Sequence, residues 1–167
     1  MNTFYLGLFV IIAVIVLIVV ISLVSNYRKK ERNKKLFAAF NDFVVENKLT
    51  IDKKQTLNRN IIGLDRLNGK LIFIDNSKEP QQKHLISLQD LAACNLKKER
   101  NTKNGNISEI YLHCVFKENK HPDVKLPVYN SATDDLYKMM RLSKKASYWE
   151  KTINIFREVP PVSLESQ

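Results

Sequence analysis

The sequence predicts an α+β protein: one N-terminal transmembrane helix, then an antiparallel β-sheet domain closed by a long C-terminal helix. Three observations predict it. Phe4 to Val24 is an unbroken run of 21 residues without a charge. From Leu49 to Tyr129 the chain breaks into short strand-like segments separated by turn residues, and from Ser131 apolar residues recur with helical spacing.

At about 1.5 Å per residue the apolar run spans roughly 30 Å, the thickness of a bilayer's hydrocarbon core. Ile, Val and Leu lie all round it, which leaves no polar face for a soluble surface helix. A cleaved signal peptide would carry a positive n-region and a shorter apolar core. Met1-Asn2-Thr3 has no side-chain charge, so a retained helix is expected. Arg28, Lys29, Lys30, Arg32, Lys34 and Lys35 follow, against the single acid Glu31. The positive-inside rule then places the N-terminus outside and residues 28–167 in the cytoplasm, as a single-pass protein of the cytoplasmic membrane. No small-xxx-small pair occurs in the span, so it reads as a tether and not a dimerisation helix. The six basic residues are the candidate membrane-surface contact, worth about 1 kcal/mol per charge beside anionic headgroups. The same charges serve equally as a pure topology signal.

Leu36, Phe37, Phe40, Phe43 and Val44 make one helical stripe beyond this collar, suited to the membrane interface or to docking on the domain behind it. Ile61 to Leu67 and Lys70 to Asp75 flank Asn68-Gly69, a pair that supports a two-residue type I′ hairpin turn with Leu64 opposite Phe73. Lys83 to Ser87 is a short strand, and Ser87-Leu88-Gln89-Asp90 has the spacing of a capping box, so one helical turn precedes a strand near Ala93 to Glu99. Polar residues 101–106 form a loop, and Ile107 to Lys117 is the longest strand. After a turn at Asn119 to Asp123, Val124 to Tyr129 alternates. Pro127 lacks an amide donor and puts that strand at an edge or beside a bulge.

Ser131 to Asp135 offers caps and acids suited to a helix start. Leu136, Met139, Leu142, Ala146, Trp149, Ile153 and Phe156 then form one face of a helix of about 23 residues, with Lys138, Arg141, Lys144, Lys145 and Lys151 over much of the rest. The expected divisions are therefore an anchor over 1–27, a basic collar and amphipathic helix over 28–48, a domain over 49–157 and a disordered tail over 158–167.

The net charge of +10 splits evenly, with +5 in residues 28–35 and +5 elsewhere. The domain is thus mildly basic, not a cationic surface of the nucleic-acid-binding type, and no nucleic acid partner is expected. Cys94 and Cys114 are expected as buried free thiols, since a cytoplasmic compartment keeps thiols reduced. Abundant Lys, Asn and Ile fit an AT-rich bacterial genome. His84, His113, His121 and the cysteines lack the tight paired spacing of a zinc site. Asp134-Asp135 are explained by capping. No P-loop, nucleophile elbow or H-E-x-x-H occurs, and no cofactor or catalytic residue is expected.

Short strands followed by one amphipathic helix resemble the pleckstrin-homology-like (PH-like) fold, in which a bent sheet forms a near-closed barrel and the helix plugs one end. Leu71-Ile72-Phe73-Ile74-Asp75, His84-Leu85-Ile86-Ser87-Leu88 and a closing helix with Trp149 on its apolar face look like small bacterial membrane-anchored proteins of this kind. The resemblance covers roughly residues 55–156 and rests on element order. No dense Lys/Arg cluster flanks the Asn68-Gly69 turn, a departure from the lipid-binding subtype. Another α+β arrangement, with the helix across an open sheet, is the alternative. The expected function is a membrane-tethered binding or scaffold module that docks a protein partner, with anionic lipid headgroups as a further possible contact. A hydrolase-like enzyme using His84 or His113 is the alternative from another class.

Overall fold

The computed structural model describes residues 2–102, 105–117 and 121–159, with side chains from residue 11 onward, Lys29 excepted. Residues 1–38 and 39–167 form two compact units. In the first, helix α1 (Asn2–Glu46, whose last turns belong to the second unit) contains a stretch with mean hydropathy 2.3. Its apolar residues from Ile11 to Val24 are exposed on every side. It is long and apolar enough to cross a membrane.

The second unit is α+β. Strands β1 (Lys53–Leu57), β2 (Asn60–Asp65), β3 (Lys70–Asp75) and β4 (Gln82–Ser87) make one antiparallel sheet in sequence order. Strands β5 (Leu91–Arg100), β6 (Ile107–Phe116) and β7 (Val124–Asn130) make a second, followed by helix α2 (Leu136–Phe156). A single 3₁₀ turn, Leu88–Asp90, separates the sheets where one helical turn was expected. Ser87 precedes it, but its side chain makes no capping hydrogen bond. The two sheets are not joined by strand pairing into one closed barrel.

Alternation builds the core. Leu57, Ile62, Leu64, Leu71, Phe73 and Ile86 from the first sheet meet Cys94, Ile110, Leu112, Cys114 and Leu126 from the second. Leu142, Ala146, Trp149 and Ile153 of α2 complete the cluster, and Met139 and Phe156 pack against it. Trp149 is buried as expected, with its indole N–H donating to Gln55 Oε1 at 2.9 Å. Leu136 departs from the expectation, because it is exposed. At about 100° per residue it stands roughly 120° around the helix from Leu142, off the buried stripe.

Ile61, Ile72 and Ile74 are also fully buried, although they point to the opposite face of the first sheet from Ile62 and Phe73. The end of α1 covers that face. Phe40 is buried and lies so close to Gly63 that a β-carbon there would sit 2.6 Å from its Cζ. Lys83 Nζ stands 5.3 Å from the Phe43 ring. Docking on the domain is therefore what Phe40 and Phe43 do.

The β2–β3 connection corrects the expected register. It is a four-residue turn over 66–69, so Leu64 faces Leu71 and Phe73 faces Ile62. The buried Asp65 carboxylate makes the difference: it accepts from the Asn68 backbone N–H (2.9 Å) and side-chain amide (2.7 Å), and from Thr50 N–H (2.8 Å). Only Gly69 takes a positive φ, at 61°. A two-residue loop exists one hairpin earlier, at Asn58-Arg59, where Asn58 adopts φ 58° and Leu57 pairs with Asn60. Strand β1, the partner in that hairpin, was not anticipated as a strand. Pro127 sits as expected, in an edge strand beside a register shift between Ile110 and Tyr111. The loop at 101–106 closes through Gly105 N–H to Asn101 C=O (2.9 Å), while its tip at 103–104, residues 118–120 of the next turn and the tail from 160 lie outside the described residues.

Candidate functional site

The Asn58-Arg59 hairpin turn, the end of β7 and the turn into α2 enclose a polar cleft of about 220 Å³, lined also by Asn60, Ser77, Tyr129 and Asn130. Its walls are held by hydrogen bonds between neighbours. Asp134 Oδ1 accepts from Asn58 Nδ2 at 2.6 Å, and its Oδ2 accepts from the Asn130 backbone N–H at 3.0 Å. Arg59 donates to Thr133 C=O at 3.2 Å. Asn60 is buried and bridges the sheets, donating to Pro127 C=O at 2.7 Å and accepting from Asn76 N–H at 3.0 Å. These bonds tie the hairpin turn, the end of β7 and the turn into α2 to one another.

Capping does not account for Asp134 and Asp135 as expected. Asp135 is the N-cap of α2, but its carboxylate makes no capping bond and instead pairs with Lys138 at 3.0 Å. That ammonium holds its carboxyl below the ordinary range. Asp134 is drawn into the cleft by the Asn58 amide.

His84 and His113, either of which the enzyme reading could use, lie on different strands, β4 and β6. His84 on β4 lies across from Phe73, and burial pushes its imidazole below the usual range, against the opposing pull of Asp75. His113 on β6 meets Asp123 at 3.2 Å through Nε2. Neither lines the cleft. Among the described residues no group of three His, Cys, Asp or Glu converges as a metal site. Cys94 and Cys114 face each other across β5 and β6 with sulfurs 3.9 Å apart, both free and buried. The hydrogen bond with Cys114, together with burial, drives the Cys94 thiol far up from its ordinary range and makes it a poor nucleophile.

The collar stays within the first unit. Arg28, Lys30, Arg32, Lys34 and Lys35 are exposed, and the Lys29 side chain lies outside the described residues. Glu31 pairs with Lys35 at 3.6 Å. Arg28, Arg32 and Lys35 fall on one side of α1, and Lys30 and Lys34 on the other. The cations thus ring the helix. A helix crossing a headgroup layer needs charge on all sides, whereas one lying flat needs it on a single face.

The cleft was not read from the sequence. Its one local signal was Asn58, a residue tolerant of positive φ between a polar strand and the Ile61-Ile62 run. The chain matches no family model, no curated protein and no solved structure.

Proposed function

We propose that this is a single-pass membrane protein whose α+β domain, of PH-like architecture, docks a protein partner at the cytoplasmic face of the membrane. The observation that carries the tether is an apolar helix exposed on every side and followed at once by a ring of cations. Burial of that surface in hydrocarbon is its one favourable environment, and the ring of positive charge supports a cytoplasmic domain. The four-plus-three strand order with the Trp149 helix filling the core supports the PH-like reading. The polar cleft, built from groups of three separate segments, supports docking.

The test is site-specific photo-crosslinking in intact cells from a residue replacing Arg59, at the mouth of the cleft. We expect a discrete protein adduct in the membrane fraction. It should disappear when Asn58 and Asp134 are both replaced by Ala, and persist when the probe-free Lys97 is replaced on the far β5–β6 hairpin. No adduct from Arg59, with or without those replacements, would overturn docking at the cleft.

A further inference from the structure

We propose that the outward face of α2 is a second membrane contact, docking on the surface of an anionic lipid bilayer. Seven exposed residues of α2 fall within about 100° of the helix circumference. Four of them are apolar or aromatic: Tyr137 is 94% exposed, Met140 67%, Ile155 60% and Tyr148 48%. The others are Arg141, Lys144 and Lys151, and no acid interrupts the stripe over its roughly 27 Å length. Lys53 of β1 adds a fourth cation, donating to the Tyr148 hydroxyl at 3.0 Å.

Two physical arguments choose the occupant. Arg141 and Lys144 are like charges three apart on the helix and repel, with Lys151 two turns further on, and this face supplies no acid to offset them; an anionic surface does. Tyrosine between Lys and Arg is the composition of the headgroup layer, where an aromatic body is buried while its hydroxyl and the ammonium heads stay wet. The same molecule also carries the candidate membrane helix, so a bilayer is held at high effective concentration and weak docking suffices. This inference therefore rests on the membrane-spanning reading above.

The experiment uses the full chain carrying a polarity-sensitive NBD label on Met140→Cys. Cys94 and Cys114 are buried and stay unlabelled. The chain is reconstituted in nanodiscs of phosphatidylcholine, with or without one-third phosphatidylglycerol. We expect a blue-shifted, brighter label in the anionic discs alone, reversed by about 0.5 M salt. The R141Q/K144Q/K151Q variant should lower the docking equilibrium about a hundredfold, and a label on Thr102→Cys should not respond. Identical Met140 spectra in the two discs, or a shift that survives both salt and the glutamines, would overturn the proposal. A label that ignores lipid but crosslinks to a protein in cells would assign the stripe to a protein partner and overturn it equally. A chain that elutes apart from the discs would overturn the membrane-spanning reading along with it, an outcome distinct from an inserted chain with an unresponsive label.

Discussion

Gly63 shows how one missing methyl sets a contact. The residue lies between Ile62 and Leu64, both in the inner core, and its own open face receives the Phe40 ring. Gly63→Ala should destabilise the domain by about 1–3 kcal/mol, because the buried ring must shift. Phe40→Leu should relieve part of that loss, so a double-mutant cycle of denaturant melts in detergent should give a coupling clearly different from zero. Trp149→Ala should cost about 3–5 kcal/mol, whereas Trp149→Phe should cost less by retaining the ring while losing the Gln55 hydrogen bond. An unchanged melting temperature for the alanine variant would contradict the core position of Trp149. His84 carries a pH dependence. Its pKa is depressed in the folded state, so between that value and about 6.5 the unfolded chain binds more protons. Stability should fall as pH drops through about 6.5, with the loss complete below the folded pKa. His84→Gln should reduce the difference between melts at pH 7.5 and pH 5, and an equal difference in both proteins would refute the assignment.

Edges and faces matter at the scale of elements. Strand β5 borders its sheet, so its outward amide and carbonyl groups lack a neighbouring strand. Helix α2 supplies the partners. Asn154 accepts from Cys94 N–H at 3.0 Å and donates to Cys94 C=O at 2.7 Å, in the manner of a strand's backbone. Glu150, one turn earlier, accepts from Leu96 N–H at 2.7 Å. Asn154→Ala should cost about 1–3 kcal/mol by leaving both Cys94 groups unpaired. Amide exchange at Cys94 should quicken more than at Ile110 in the middle strand. Equal acceleration at both would indicate general loosening and not an opened edge. Glu150 and Asn154 are thus turned toward β5, and the cationic stripe is turned away from it.

For the whole molecule, the exposed apolar surface of α1 is decisive. Release of a 21-residue apolar span into water is so costly that the chain should remain in the pellet after an alkaline carbonate wash. Recovery in the supernatant would contradict a spanning helix. Orientation has its own measurement: if the domain is cytoplasmic as proposed, an impermeant maleimide should label Thr102→Cys only after cells are opened. Labelling in intact cells would reverse the topology.

Much of this architecture was legible in the residues themselves, for local reasons. The run from Phe4 to Val24 follows from its length and lack of charge, and the strands at Lys70–Asp75 and Ile107–Phe116 and the buried stripe of α2 from periodicity, neither of which needs knowledge of the neighbours. Pro127 marked an edge because a missing amide is a property of that residue alone. Tertiary structure decided whatever depends on a partner remote in sequence. Asp65 turned an Asn-Gly pair into a four-residue turn and moved the register of Phe73. Ile61, Ile72 and Ile74, which by alternation alone belong to the outer face of the sheet, are buried on the face where Phe40 meets Gly63. Asn58 and Asp134, 76 residues apart, became one wall of a cleft only when the hairpin met the turn into α2. The cationic stripe stood in the sequence as scattered lysines and became a surface once the opposite side of α2 was buried.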